Sequence, residues 1–527
     1  MKQIIVFFLS VSLVLVTAAC GATQPAETTA AAEAPTTTQT QTAATTAATS
    51  EEQPETREMV NLEFYWQGDE KPDDQRVWDA LNEITANEIQ TTATHNLISW
   101  SDPTGIDLLI ASGDYHDATF AGVSAYVQRV AKGAYTELTE ELMLEYMPVL
   151  YAKIPSLAWA QATIGGKIYG VPNVFQEWSY YKSLAVRGDL RKKYDIPEIL
   201  SVDIFEEYLQ AIADNETNIL PWDANSQYAS YMRLLVLDQV VEWMFSSNNY
   251  LPGYGYWTKD DSGEVFNIYE RQEYKDYLAK MVDWRKRGFW SANALNNDKR
   301  QQDSFLNGTS AIATENNTTV DVWVRQMYRE HPEWDPEFYD GANDGNFAVI
   351  QTSYLSNTFC VSAVSKQVGR TLEWLQCIKT NQNAYDLVFY GLEGEHWIDE
   401  GPGLVSAGPK SGDYGNYSWW WINQADMSRR IVDAWPAFLD CYEDCKTRTF
   451  NNKVYYFLFE QESVAGEIAA MANVTAEYSP GLMLGMYDDW EATLETMEAA
   501  YEAAGRQKVL DEYKKQLAVH MESFVAE

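Results

Sequence analysis

The chain has 527 residues, 46% of them hydrophobic and 13% aromatic, with 38 Lys and Arg against 77 Asp and Glu. The resulting net charge of −39 repels phosphate backbones, which argues against nucleic acid as a partner. Five cysteines and five histidines are too few for a disulfide scaffold or a histidine-rich zinc site, so we expect no metal and no cofactor.

The first twenty residues have the plan of a secretion signal. Lys2 gives a short positive region, residues 4–16 are apolar, and small residues precede Cys20. The apolar run is too short for a membrane span. The segment Thr17-Ala18-Ala19-Cys20 resembles a bacterial lipobox, although Thr17 stands where such boxes usually carry Leu. We expect residues 1–19 to be a signal peptide and Cys20 to be lipidated; a signal peptide with a chance cysteine is the alternative.

The next segment is a spacer. Residues 20–58 are mostly Thr, Ala, Gln, Pro and Glu, which cannot repay the entropy of ordering, so we expect a lipidated, disordered tether. The composition changes at Val60, where an alternating run to Trp66 predicts a strand. A globular part over 59–527 is long enough for two lobes with cores of their own.

Strands and helices alternate at the start of this part. An apolar stripe of Val77, Leu81 and Ile84 predicts a helix, and an extended stretch follows over 89–100. The order βαβα indicates an open α/β sheet. Near the other end, Leu494, Met497, Tyr501 and Ala504, then Leu510, Tyr513 and Leu517 after Gly505, predict two helices.

Several motifs then resemble one family, the family 1 extracellular solute-binding proteins of ATP-binding-cassette (ABC) importers. They occur in the family's order over most of the chain: Trp100-Ser101-Asp102, Ala111-Ser112-Gly113-Asp114, Gly133-Ala134, Gly165-Gly166-Lys167-Ile168-Tyr169-Gly170, Arg187-Gly188-Asp189-Leu190, Phe305-Leu306-Asn307-Gly308 and Tyr390-Gly391-Leu392-Glu393-Gly394. Any one of them is weak evidence, but the ordered series is specific.

The resemblance implies a two-lobed α/β fold of the periplasmic-binding-protein type II kind, with a hinge between the lobes. We expect one lobe over 59–176 and 311–365 and the other over 177–310 and 366–527. The family implies a lipid-anchored receptor on the extracytoplasmic face of the cell membrane. It would act as a monomer that captures an oligosaccharide and delivers it to the permease subunits of an importer.

Ligand contacts should come from loops of both lobes. The candidates combine aromatic rings, which suit sugar faces, with amides and carboxylates, which suit hydroxyls. They are Trp66, Gln67 and Asp114 in the first lobe, Glu177 and Trp178 between the lobes, Asn316 and Asn317 after the strand at 310–314, and Trp222, Trp397, Trp419, Trp420 and Trp421 in the second lobe. Core packing is the alternative for each Trp, although three adjacent rings at 419–421 cannot all face one core.

Other chemistries find less support in the sequence. No nucleophile elbow, H-E-x-x-H motif or phosphate-binding loop occurs, so we do not expect an enzyme. The segment 213–222 lacks the spaced carboxylates of a calcium loop. Cys441 and Cys445 could meet on one helical face, and whether they are bonded stays open. Two alternatives to an oligosaccharide receptor remain. One is the same receptor fold with a peptide or uronate-bearing solute, and the other is a polysaccharide-degrading lipoprotein.

Overall fold

The computed structural model describes residues 57–102, 104–174, 183–238, 241–247, 250–341, 349–350, 353–415, 426–450 and 452–523. The predicted signal peptide, Cys20 and the tether up to residue 56 lie outside the described residues, as do Glu177, Trp178 and Trp419, Trp420 and Trp421. Every described element belongs to one compact unit, residues 57–527.

Residues 57–174 alternate strands with helices, as the sequence predicted. The strands are β1 (Val60–Gln67), β2 (Thr91–Ile98), β3 (Ala118–Ala121), β4 (Thr163–Ile164) and β5 (Lys167–Ile168). The helices are α1 (Asp74–Ile89), α2 (Gly105–Ser112), α3 (Val123–Ala131), α4 (Glu140–Tyr146), α5 (Pro148–Lys153) and α6 (Ser156–Ala162).

Residues 183–341 build a second set of elements. The strands are β6 (Ser183–Arg187), β7 (Leu220–Trp222), β8 (Trp243–Ser247), β9 (Leu251–Trp257), β10 (Val265–Asn267), β11 (Ser310–Glu315) and β12 (Pro336–Tyr339). The helices are α7 (Gly188–Lys193), α8 (Val202–Asn215), α9 (Ala229–Val236), α10 (Gln272–Lys286), α11 (Gln301–Leu306) and α12 (Asn317–Glu330).

The rest of the chain is mainly helical. It contains the strands β13 (Val349–Ile350), β14 (Thr358–Val361), β15 (Trp397–Asp399), β16 (Leu404–Ala407), β17 (Arg430–Ile431) and β18 (Thr449–Phe450). The helices are α13 (Val368–Thr380), α14 (Gln382–Tyr390), α15 (Pro436–Arg448), α16 (Ala465–Met483), α17 (Trp490–Ala503) and α18 (Arg506–Ser523). Side-chain oxygens of Thr139, Ser201, Asn381 and Asp489 cap the first turns of α4, α8, α14 and α17.

The first lobe is built on a four-stranded sheet of order β14-β3-β1-β2. β1 lies parallel to β2 and β3, and β14 closes the edge in the antiparallel direction. The predicted alternation holds in β1, where Leu62, Phe64 and Trp66 are buried. Val77 and Leu81 of α1 are buried beneath them. A continuous apolar core therefore holds the sheet to its helices.

The second lobe is built on a sheet of order β12-β6-β11-β7. β11 is parallel to β7 and antiparallel to β6, which in turn pairs with β12. The predicted terminal stripe, including Leu494, Met497, Tyr501 and Tyr513, is buried in the same core as Trp222. The two terminal helices are therefore packing elements of this lobe.

The lobe boundaries differ from the predicted ones. β11, α12 and β12 belong to the second sheet, although residues 311–365 were expected in the first lobe. Conversely, α13 and α14 pack in the first core, although residues 366–527 were expected in the second. The first lobe thus comprises 57–174 and 353–431, and the second 183–341 and 436–523. Sheet partners are long-range pairings, which strand patterns in a sequence do not reveal.

No helix among the described residues is both long enough and apolar enough to cross a membrane.

Candidate functional site

The carboxyl ends of parallel strands are the usual place for a ligand in an open α/β sheet. In the first lobe these ends lie at Gln67, Ile98 and Ala121, and in the second lobe at Trp222 and Glu315. A cavity lined by both lobes lies next to the end of β3, and Asp69, after β1, interacts electrostatically with Arg300 of the second lobe. The space between these strand ends is the candidate site, which we call the cleft.

An aromatic cavity of about 220 Å³ occupies one part of the cleft. The first lobe contributes Val123, Ser124 and Val127 from the start of α3, directly after β3. The second lobe contributes mostly rings: Phe245, Tyr250, Tyr256, Tyr455, Phe457, Phe459 and Tyr513. The volume lies below the range of about 300–1,000 Å³ that drug-sized ligands occupy, so it suits one small ring-sized unit of a larger ligand.

The segment 454–461 forms the bridge between the lobes at this cavity. Tyr456 stacks on Tyr354 of the first lobe with centroids 6.2 Å apart, and Leu458 packs against the first-lobe cluster around Tyr126. The Gln128 amide donates a hydrogen bond of 3.4 Å to Gln461 Oε1. A ligand in the cavity therefore contacts the elements that hold the lobes together.

A polar rim continues the cleft on the other side of β1, in the loops after β1 and β2. Ser99 Oγ donates to Asp69 Oδ1 at 2.6 Å, and the Trp100 amide approaches the same oxygen at 3.3 Å. The Gln67 amide donates to the carbonyls of Ser99 (2.6 Å) and Asp102 (3.2 Å) and so fixes this loop. Trp100 itself lies at this rim and is 50% exposed.

The second lobe supplies a carboxyl group and tyrosines. Glu315 Oε2 accepts a hydrogen bond of 3.1 Å from the Tyr231 hydroxyl, and Oε1 accepts one of 3.1 Å from the Asn316 amide. Burial raises the pKa of Glu315. The Tyr228 ring packs edge-on against Tyr231 at 5.3 Å, and burial followed by the field of Glu315 raises the pKa of Tyr228. This wall thus offers neutral hydroxyls and a carboxyl that resists ionisation.

A charged pair of the second lobe, Arg300 and Asp303, interacts electrostatically with the first lobe. Arg300 donates two hydrogen bonds of 3.0 Å to Asp303, and this carboxylate is the main cause that raises the pKa of the guanidinium. The negative charge of Asp69, in the opposite lobe, also raises the pKa of Arg300. Because Asp303 already neutralises Arg300, the guanidinium is a poor anchor for an anionic ligand and a suitable donor to hydroxyls.

Three predicted tryptophans are core residues, which corrects the prediction that they stack on a ligand. Trp66 and Trp222 are 0% exposed and Trp397 is 5% exposed. Their indole nitrogens donate to His95 Nδ1, Gln301 Oε1 and the Gly391 carbonyl at 2.9–3.0 Å. Since protein encloses these rings, they offer no face to a sugar. Trp397 also lies in the first lobe, packed beside Tyr390, and not in the second as expected.

Two of the polar candidates lie at the cleft, and two lie elsewhere in the fold. Gln67 and Asn316 lie at strand ends that face the cleft, where they hold loop 99–102 and cap α12. Asn317 is buried and its amide points to Cys441, so it is not at the surface. Asp114 is exposed but precedes β3, and because β3 is parallel to β1 it lies at the opposite edge of the sheet from Gln67. The structure therefore places neither Asn317 nor Asp114 at the surface of the cleft.

The sequence analysis missed several cleft residues. Trp100 was noted as the last residue of the predicted extended stretch 89–100 and as part of a motif, but not as a ligand candidate. Glu315 lies between the predicted strand at 310–314 and the chosen Asn316. Tyr228 and Arg300 come from loops whose approach to the cleft depends on the second sheet, so no local pattern could have identified them.

The geometry is that of a two-lobed solute receptor, and comparisons with known proteins agree. A family model described as a domain of unknown function, DUF3502, matches residues 453–521. A carbohydrate ABC transporter substrate-binding protein of Streptococcus pneumoniae is 24% identical over 476 residues, which covers 86% of this chain and 90% of that protein.

Solved structures show the same architecture. The crystal structure of the N-glycan transport solute binding protein NgtS from S. pneumoniae matches with a TM-score of 0.72 at 19% identity, covering 88% of this chain and 99% of that one. The alginate-binding protein AlgQ2 matches with a TM-score of 0.63 at 14% identity, covering 88% and 99%. The fold is therefore that of the extracellular solute-binding proteins of ABC importers, and the resemblance inferred from the motifs is confirmed.

Proposed function

We propose that this protein is the substrate-binding component of an ABC importer and captures an oligosaccharide in the cleft. The observation that carries the proposal is the aromatic cavity built by both lobes and continued by a polar rim. Rings there can cover the C–H faces of a sugar, while Ser124, Tyr228 and the Asn316 region supply hydroxyl and amide partners. The relative in S. pneumoniae is named as a carbohydrate-binding protein, and NgtS was crystallised with Man5GlcNAc.

The two parts of the cleft favour a ligand longer than one sugar. The cavity follows β3 and the rim follows β1 and β2, on opposite sides of β1. Strands are about 4.8 Å apart, so the two parts are separated by about 10 Å across the sheet. A single ring cannot reach both, whereas an oligosaccharide can.

A neutral ligand fits the charges better than a uronate. The chain carries a net charge of −39, and Arg300 is already paired with Asp303. A uronate held by a cation would bind more weakly as salt rises, but stacking of a neutral sugar depends little on salt. The same proposal includes delivery to permease subunits, action as a monomer, and closure of the lobes around the ligand.

We expect calorimetry with a panel of neutral oligosaccharides to find a ligand whose affinity changes little between low and high salt. Replacing Trp100 with Ala should weaken binding by about 1–2.5 kcal/mol, because the ring covers roughly 50–100 Å² of sugar. This corresponds to about a five- to sixtyfold rise in Kd. Tyr328→Ala is the control, since this ring is 52% exposed near the far end of α12.

Three results would contradict parts of this proposal. Binding that falls steeply with salt would indicate a charged glycan. New reducing ends after incubation with polysaccharide would indicate an enzyme. Unchanged affinity in Trp100→Ala, with the protein folded, would place the sugar away from the rim.

The lipid anchor is proposed from the sequence alone. Replacing Cys20 with Ala should release the protein into the medium or leave it unprocessed, because the thiol is the site of acylation. Cell fractionation and mass spectrometry of both forms check this. A variant that stays in the membrane fraction with an unchanged lipid mass would rule the anchor out.

A further inference from the structure

Away from the cleft, one helix presents two thiols to a carboxylate. Cys441 and Cys445 lie one turn apart on α15, and their sulfur atoms are 4.0 Å apart with no disulfide between them. Asp340, just after β12, completes the cluster, so that one ligand atom from each residue lies within 4.8 Å of the others. Both cysteines are buried.

We propose that Asp340, Cys441 and Cys445 bind a thiophilic divalent cation, for which Zn²⁺ is the best match. In a tetrahedral site with Zn–S bonds of about 2.3 Å, the two sulfurs lie about 3.8 Å apart. The observed 4.0 Å is close to this span, so a cation could enter with little movement of the helix. Thiolate sulfur and carboxylate oxygen are both ligand types that Zn²⁺ accepts.

The surroundings balance the charge. Arg448 Nη2 lies 3.4 Å from Asp340 Oδ2 and 3.9 Å from Cys445 Sγ, and Asn317 Nδ2 lies 4.0 Å from Cys441 Sγ. Two thiolates and a carboxylate carry three negative charges; a divalent cation cancels two of them, and Arg448, which also pairs with Asp444, offsets the third. A buried site needs this neutrality, and the amide and guanidinium also orient the sulfurs.

A pocket gives the cluster access to solvent. A volume of about 580 Å³ is lined by Asp340 and Cys441 together with Glu337, Asp440 and Asp444. Glu337 is paired with Arg191 and Asp444 with Arg448, so Asp440 is the one of these three further carboxylates that can attract a cation. A water molecule from the pocket can complete four-coordination. Each thiol that becomes a ligand releases its proton to this solvent, so binding weakens as the pH falls.

The position of the cluster determines which part of the protein a bound cation would stabilise. Asp340 lies at the end of the second-lobe residues 183–341, and α15 begins where the described chain returns to this lobe at residue 436. A bound cation would fasten the second-lobe ends of two interlobe connections. It would stabilise the second lobe without touching the sugar site, so this proposal stands independently of the proposed function.

The test uses the purified, reduced full-length protein, first freed of metal with a chelator. Titration with Co²⁺ should give one equivalent of binding, a thiolate-to-cobalt charge-transfer band and the visible bands of tetrahedral cobalt. Zn²⁺ should displace the Co²⁺ and raise the melting temperature. Cys441→Ala or Cys445→Ala should weaken binding about a hundredfold or more, and Asp340→Asn about tenfold.

Cys377→Ala is the matched control, since Cys377 is also a thiol within 3.5 Å of a carboxylate, that of Glu88, but lacks a second cysteine. This variant should bind Co²⁺ as the parent does. The spectrum of the unaltered protein tests the proposal even if a variant fails to fold. A Co²⁺ titration without the charge-transfer band, or a band that Cys441→Ala leaves unchanged, would overturn it.

Discussion

Replacing Trp222 with Ala is expected to lower the free energy of unfolding of the second lobe by about 3–5 kcal/mol. The ring is fully buried, lies edge-on to Trp290 with centroids 5.7 Å apart, and donates to Gln301 Oε1 at 2.9 Å. Gln301 in turn bonds to the Thr314 backbone, so the indole links β7, α11 and β11. Its removal leaves a large cavity that the surrounding sheet cannot fill.

Chemical denaturation of three variants checks this. Trp222→Phe should cost less than Trp222→Ala, because a ring remains and Gln301 Oε1 keeps its bond from Thr314. Trp100→Ala should change stability by no more than about 0.5 kcal/mol, since its ring is half exposed. If Trp222→Ala were as stable as the parent but bound sugar poorly, the ring would belong to the ligand site and not to the core.

The contrast between the buried Trp222 and the half-exposed Trp100 shows what the sequence could and could not predict about the cleft. The residue type indicates that a Trp has a large apolar ring, but it does not indicate which neighbour covers that ring. Trp66 continues the alternation of β1 that buries Leu62 and Phe64, so its burial follows from the predicted strand. Trp100 was placed at the end of the predicted stretch 89–100 and used as a family signature, but it was not considered as a ligand contact.

The fold was more predictable than the site, because local periodicity encodes it. The stripes of α1, α17 and α18 are buried as expected, and the Gly165-Gly166 turn joins β4 to β5. Lobe membership was not predictable in this way. β11 pairs with β6 and β7 across long stretches of chain, and only the assembled sheet shows that it belongs to the second lobe. For the same reason, the spacing of Cys441 and Cys445 allows one helical face, but the approach of Asp340 cannot be read from it.

Lys379 should make the stability of the first lobe rise with pH above neutrality. Its ammonium is 1% exposed and donates to Asn173 Oδ1 at 2.7 Å. Burial lowers the pKa of Lys379 to about 7 from 10.5, and Asp426, which is paired with Lys153, opposes this only in part. Between pH 7 and about 10 the unfolded chain therefore holds a proton that the folded lobe has released. Stability rises with pH in this window by up to about 1.4 kcal/mol per pH unit.

Comparison with Lys379→Met isolates this contribution, because the many tyrosines and other lysines titrate alike in both proteins. The free energy of unfolding, measured by urea denaturation at pH 6 to 9, should favour the Met variant most at pH 6, where the native chain must bury a cation. Between pH 7 and 9 the difference between the two proteins should shift by about 2–3 kcal/mol towards the native chain. Lys167→Met is the control, since this exposed lysine pairs with Glu137, and its pKa is raised instead. Parallel curves for the native chain and Lys379→Met would mean that Lys379 keeps its proton throughout, held by its contact with Asn173 and the field of Asp426.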